Sequence, residues 1–142
     1  IMGTNYDWTA GICLICGHAQ EERHIGKSSA GWCFSLHMYP DNGIRALSDW
    51  IAKWKANPTG IIRNEYEEVI PVEEMIDIIT NRSWPERDDV ALSPEWFRVN
   101  QAEPGPKGLA RHKVNLPLAV GYGTWCIGHG EGTWDLIIGE FS

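Results

Sequence analysis

Cys13, Cys16 and the glycine at position 17 have the spacing of a metal-binding turn. Two thiolates separated by two residues can bind one zinc ion from the same tight turn, and the glycine permits the positive φ that such turns often use. A redox-active pair would instead precede a helix, whereas the sequence after Gly17 is hydrophilic. The spacing therefore predicts a structural zinc ion bound by Cys13 and Cys16.

A closed zinc site needs two further ligands, and several histidines and cysteines compete for these places. His24 is separated from Cys16 by only a short loop. Cys126 and His129 repeat the spacing of the first pair and precede Gly130, so they could join the C-terminal part of the chain to the N-terminal part. We expect His24 and His129 to complete the site, with Cys126 as the next candidate.

Cys33 and His37 are the remaining placement, because they lie on the strand predicted after His24. If residues 28–31 form the turn of a hairpin, His37 and Cys33 share a face with His24. A single cysteine between aromatic residues is more often a small core residue than a ligand. His37 therefore ranks after Cys126, and His18 and His112 rank last.

The tripeptide Gly26-Lys27-Ser28 has the ending of a phosphate-binding loop. Such a loop also needs a glycine five residues before Gly26 and a buried strand leading into it. Position 21 is Glu21, and the residues that follow it are charged. Since the loop is missing, the tripeptide does not predict nucleotide binding.

An enzymatic alternative rests on His37, Pro40 and Gly43, whose spacing resembles the H-x-x-P-x-x-G segment of HNH endonucleases. In that family a zinc-stabilised ββα unit places a histidine that activates water beside a catalytic metal. Here Leu36 stands where an acidic residue usually precedes the histidine, and a second C-x-x-C is missing. An HNH-like metal-dependent endonuclease remains the alternative to a non-enzymatic protein.

The composition is that of a soluble globular protein, with 43% apolar residues in a chain of 142. This length predicts a single domain over residues 1–142. No apolar run approaches the length of a membrane span and no signal-peptide pattern is seen, so we expect a cytoplasmic protein without a membrane partner. The net charge of −7 argues against non-specific nucleic-acid binding, which needs a basic surface. A specific nucleic-acid-binding module is the second alternative.

Hydrophobic periodicity and turn residues predict the elements of an α+β fold. Strands are expected at 23–28 and 32–38, a hairpin at 61–70, and further strands at 108–118 and 125–141. Helices are expected at Ile44–Ala56 with Asp41 or Asn42 as the cap, from Pro71 onward, and at Ser93–Phe97. We predict small antiparallel sheets and hairpins with two or three helices, organised around a zinc knuckle. Most of the eight tryptophans are expected in the core.

Three features together resemble a group of small proteins of tailed bacteriophages and prophages. They are the C-x-x-C-G turn, the string His24-Ile-Gly-Lys-Ser-Ser-Ala-Gly-Trp32 and the closing Gly-Glu-Phe-Ser. The resemblance implies a product made in the cytoplasm of an infected host. With the predicted zinc site and the acidic charge, it implies a non-enzymatic, zinc-binding accessory protein. Such a protein would act by binding a host or defence protein, with inhibition of host defence as one possible action.

Overall fold

A computed structural model describes residues 3–11, 15–18, 20–84, 93–113, 125–129, 134–139 and 141. The strands in this part of the chain are β1 (Thr4–Ala10), β2 (Glu21–Ser28), β3 (Phe34–Met38), β4 (Ile61–Asn64), β5 (Ala102–Pro104), β6 (Ala110–His112), β7 (Trp125–His129) and β8 (Trp134–Ile138). The α-helices are α1 (Leu47–Ala56), α2 (Val72–Thr80) and α3 (Pro94–Val99). These elements confirm the predicted α+β class.

Six strands form one sheet in the order β4-β1-β2-β3-β8-β7, and β5 pairs separately with β6. All neighbours in the large sheet are antiparallel except β3 and β8, which are parallel. The parallel pair needs a long connection, and α1, α2 and α3 all lie in the chain between these two strands. The predicted hairpins are therefore parts of a mixed sheet rather than separate small sheets.

The predicted helices are present, and the first two begin later than predicted. The helix predicted from Ile44 begins at Leu47, and its N-cap is Ala46, which makes no side-chain cap. The expected cap at Asp41 or Asn42 is wrong, because both residues belong to a 3₁₀ turn. The third helix begins as predicted, since the Ser93 hydroxyl accepts a hydrogen bond from the Trp96 N–H at 3.1 Å.

Strand β1 was not among the predicted elements. Its signal is the alternation of buried Tyr6 and Trp8 with exposed Asp7, a period of two that favours a strand with one face on the core. The strand lies between β2 and β4 in the sheet. It therefore connects the predicted first hairpin to the predicted hairpin at 61–70.

The cross-strand register separates the two faces of the large sheet. Tyr6 pairs with Gly26, which pairs with Leu36, so these positions share one face. That face packs with α1 and α2 into one buried cluster, and we call it the helix face. Its cluster includes the following residues: Tyr6, Trp8, Phe34, Leu36, Met38, Trp50, Trp54, Met75 and Ile79.

The opposite face carries polar side chains, and we call it the histidine face. Asn5 pairs with Lys27, Lys27 with Ser35, and Ser35 with Asp135, which places all four positions on this face. His24, His37 and His129 lie on it by the same alternation, and β6 brings His112 against it.

Candidate functional site

The string from His24 to Trp32 forms the end of β2 and the turn that leads into β3. Gly26 lies where a side chain would overlap the carbonyl oxygen of Ser35 and the ring of Phe34, so only glycine fits between β2 and β3. Lys27 belongs to β2 on the histidine face and not to a phosphate loop. Gly26, near the start of the string, thus has a packing role.

Arg82 ties the turn of this hairpin to the end of α2. Its Nε donates to the carbonyl of Trp32 at 3.0 Å, and its Nη2 donates to the carbonyl of Ser29 at 2.6 Å. Its Nη1 donates to the hydroxyl of Ser28. Sequence reasoning missed Arg82, because its partners lie fifty or more positions away in the chain.

Two histidines of the predicted hairpin meet on the histidine face. The Nδ1 atoms of His24 and His37 lie 3.0 Å apart. The other ring nitrogen of His24, Nε2, lies 2.8 Å from Oδ1 of Asn5. The predicted alternation that places His37 on the same face as His24 is therefore confirmed, while Asn5 could not be identified without β1.

Aromatic rings enclose this histidine pair. The Tyr39 ring stacks on the His37 ring at 4.3 Å, and the Tyr39 hydroxyl donates to the backbone carbonyl of His24 at 2.9 Å. The Phe141 ring lies 4.9 Å from each of the two imidazoles. His37 is consequently buried, with 3% of its surface exposed.

The hydrogen bonds determine which nitrogens carry protons. The Oδ1 of Asn5 is an acceptor, so His24 donates to it through Nε2–H and keeps a lone pair on Nδ1. His37 then donates its Nδ1–H to that lone pair. Both rings are neutral in this arrangement.

Burial favours the same neutral state. It lowers the pKa of His24 to about 4, with Lys27 as a second cause. It also lowers the pKa of His37 to about 4, with His24 as a second cause. A neutral imidazole is the form that binds a metal or accepts a proton, so the pair keeps this capacity well below pH 7.

A second polar cluster surrounds the fully buried carboxylate of Asp135. The carboxylate Oδ2 accepts from the backbone N–H of His112 at 2.9 Å and from its Nδ1 at 2.8 Å. The carboxylate Oδ1 lies 3.5 Å from Arg111 Nε and 3.8 Å from His129 Nε2. Three cationic or ionisable side chains thus share one buried acid.

The cluster holds β6 on the large sheet. His129 donates through Nε2 to the backbone carbonyl of His112, and its Nδ1 lies 3.5 Å from Glu103 on β5. The His112 ring stacks on Trp32 at 4.8 Å. Asp135 therefore connects β8, β6 and the end of the first hairpin. Neither Asp135 nor Arg111 was predicted, because their spacing in the sequence has no metal-site or catalytic pattern.

The predicted zinc ligands fall in different places. Cys13 lies outside the described residues, and Cys16 is exposed. His24 on β2 and His129 on β7 are separated by β3 and β8, a distance of about 14 Å at about 4.8 Å per strand spacing. The structure does not bring these two histidines to one metal ion.

Cys126 is fully buried on β7, and burial raises the pKa of its thiol. Cys33 is also fully buried, and burial raises the pKa of its thiol to about 12. Both thiols are therefore protonated at neutral pH, as expected for core cysteines. Within the described part of the chain, no three His, Cys, Asp or Glu side chains form a group that could hold a metal ion.

The comparisons with known proteins add no family. No protein-family model matches the chain, and no curated protein or solved structure shows significant similarity to it. Among the described helices, none is long and apolar enough to cross a membrane.

Proposed function

We propose that the protein is a non-enzymatic, zinc-stabilised phage accessory protein that acts by binding a protein of its bacterial host. The observation that carries this proposal is an exposed apolar surface with an acidic rim. Tyr66 and Val69 are each 63% exposed, and they lie among three exposed glutamates. We call residues 65–69 the acidic turn.

The acidic turn is held in one conformation by Asn64. The Asn64 Oδ1 accepts from the backbone N–H of Tyr66 at 2.9 Å and from that of Glu68 at 3.0 Å. The Asn64 Nδ2 donates to the Glu68 carboxylate at 2.8 Å. An ordered turn loses little conformational entropy on binding, which favours its use as a docking element.

An apolar groove of about 220 Å³ adjoins the acidic turn through Val69. Trp54 contributes to its wall, and the indole Nε1 of Trp54 is buried without a hydrogen-bond partner in the described part of the chain. Tryptophan walls, an apolar anchor and a charged rim are the usual anatomy of a protein interface. The groove is lined by Trp8, Trp54, Asn57, Pro58, Gly60, Ile61, Ile62, Val69, Ile70, Pro71 and Val72.

The charge of this surface indicates the chemistry of the partner. Glu73, Glu74 and Asp77 are exposed on α2, which begins at the groove residue Val72, and the chain has a net charge of −7. A partner with an apolar anchor inside a basic rim would be complementary to it, and the opposite charges would speed association. A host defence protein of this kind is the leading candidate, with the host cytoplasm as the site of action.

Affinity purification from host cells, followed by mass spectrometry, tests the proposal. We expect a host protein to be retained in a salt-sensitive manner and to be lost when Tyr66→Ala and Val69→Ser are combined. Val99→Ser is the matched control, because Val99 is 64% exposed but lies on α3. Equal retention by the double variant and the wild type, or no host protein above background, contradicts the proposal.

The proposed structural zinc ion is tested separately by elemental analysis. We expect about one zinc ion per chain, bound by Cys13 and Cys16, and its loss in Cys13→Ser together with much of the stability. Metal-free protein with an unchanged melting temperature would show that this part is wrong. The protein-binding part would then still be decided by the Tyr66 and Val69 variants.

A further inference from the structure

The two imidazoles of the histidine face are placed like two ligands of one metal ion. We propose that His24 and His37 bind a divalent transition metal through their Nδ1 atoms, at a site separate from the cysteine pair. The nitrogens lie 3.0 Å apart. Two nitrogens about 2.0–2.1 Å from a tetrahedral zinc ion are about 3.3 Å from each other. The distance between the nitrogens therefore has to increase by only a few tenths of an ångström, while the rings turn so that both lone pairs point to the metal.

Asn5 prepares His24 for this role. Its Oδ1 holds the Nε2–H of His24 at 2.8 Å, which directs the Nδ1 lone pair toward His37. The Asn5 amide is itself oriented, because its Nδ2 faces Glu65 Oε1 at 3.5 Å and its backbone N–H donates to the same oxygen at 2.7 Å. Metal-binding histidines are usually held in this way, by an acceptor on the nitrogen that does not bind the metal.

Tyr39 supplies an oxygen beside the Nδ1 of His37. Its hydroxyl oxygen lies 3.3 Å from the Nδ1 of His37, and its ring fixes the plane of that imidazole by stacking. Two imidazoles with oxygen or water ligands suit Zn²⁺, Cu²⁺ and Co²⁺ better than Mg²⁺ or Ca²⁺. Since two protein nitrogens leave open coordination positions, we expect weaker binding than at a site closed by four protein ligands.

Proton release distinguishes this site from the cysteine pair. The hydrogen bonds place one proton on each ring, so metal binding requires only that the proton of His37 moves from Nδ1 to Nε2, with no net release. The cysteine pair must lose protons to bind zinc, which makes its affinity strongly dependent on pH. Metal binding at the histidine pair should therefore release no protons, whereas binding at the cysteine pair should release them.

Nitrogen-15 NMR of the histidine rings in the wild-type chain tests the site directly, with ZnCl₂ added in steps at pH 7. We expect the Nδ1 resonances of His24 and His37 to move together, and those of His18 and His112 to remain. His18 is exposed, which makes it the control for weak surface binding. If zinc is taken up and neither the His24 nor the His37 resonances move, the inference is overturned.

A variant series then separates metal binding from folding. Asn5→Ala keeps both histidines and should weaken metal binding by about 10- to 100-fold, as loss of such supporting partners generally does. His37→Ala should abolish the histidine-site binding measured by Co²⁺ absorption, while the thiolate-to-cobalt band of the cysteine pair persists. Unchanged metal affinity in a folded His37→Ala protein contradicts the inference and leaves the predicted zinc site at Cys13 and Cys16 unaffected.

Discussion

The two faces of the large sheet differ in how their side chains interact. The helix face is a continuous apolar core in which Trp8, Phe34 and Trp50 are almost completely buried. The histidine face is also largely buried, but it is held by directional contacts around Asp135 and between His24 and His37. Apolar burial tolerates small adjustments, whereas buried polar groups destabilise the fold when one partner is missing. The same sheet thus combines a stabilising face with a face on which chemistry is possible.

Substitution of Trp50 has the largest expected effect on stability. Trp50 lies on α1, belongs to the buried cluster of the helix face and also contacts β3. Its side chain is fully buried, and its Nε1 donates to the backbone carbonyl of His37 at 2.9 Å. We expect Trp50→Ala to lower the free energy of unfolding by about 3–5 kcal/mol, measured by urea denaturation. Trp50→Phe should lose less, since it keeps most of the apolar volume. Equal losses for the two variants would mean that the hydrogen bond, rather than burial, dominates.

Substitution of Asp135 tests how much the histidine face contributes to stability. Asp135→Ala removes the acceptor of His112 and leaves the Arg111 guanidinium buried without its acid, so we expect a loss of about 3–4 kcal/mol. Asp135→Asn retains an acceptor for the His112 N–H and should lose less. A loss below about 1 kcal/mol for Asp135→Ala would show that this cluster does not support the fold.

The pH dependence of stability probes the histidine pair. Each ring has its pKa lowered by burial from 6.5 to about 4 in the folded chain, so the unfolded chain binds protons first as the pH falls. Stability is therefore complete above pH 6.5 and decreases as the pH falls toward 4. The loss for one such histidine is about 3 kcal/mol, and the two titrations are coupled.

Denaturant unfolding at successive pH values measures this dependence. Replacing both histidines, as in His24→Gln with His37→Gln, should flatten the profile between pH 6.5 and 4. His18→Gln is the control, because His18 is exposed and lies outside the pair. A wild-type profile that is flat over this range would contradict the neutral buried pair.

Substitution of Tyr39 has the smallest expected effect on stability. Tyr39→Phe keeps the ring that stacks on His37 but removes the hydroxyl that donates to the carbonyl of His24. We expect a loss of about 1 kcal/mol in the free energy of unfolding, the usual contribution of one hydrogen bond. The melting temperature measures it, and a loss as large as that of Asp135→Ala would indicate that Tyr39 also positions the histidines.

The sequence predicted local elements better than their assembly. Alternation and turn residues located the β2–β3 hairpin, and this was enough to place His37 on the same face as His24. The N-cap at Ser93 was predicted from its own hydroxyl and the following proline. Strand β1 was not predicted, because its alternation is short. The contact between Asn5 and His24 was therefore not predicted either.

The site was only partly predictable for the same reason. His24 and His129 looked like partners because each follows or accompanies a cysteine in the sequence, yet β3 and β8 lie between their strands. Strand order depends on how the chain crosses over through its helices, which no local pattern records. Asp135 is surrounded by Arg111, His112 and His129 only because the parallel β3–β8 pairing places β8 beneath β6.

The sequence by itself determined the α+β class, the approximate positions of the helices and first hairpin, and the acidic charge. Each of these depends on residues close together in the chain or on composition alone. Only the tertiary structure decided which face of the sheet became polar and which histidines meet. Those outcomes depend on the order and direction of strands, and therefore on contacts between residues far apart in the chain, where His24 meets His37 and Asn5 but not His129.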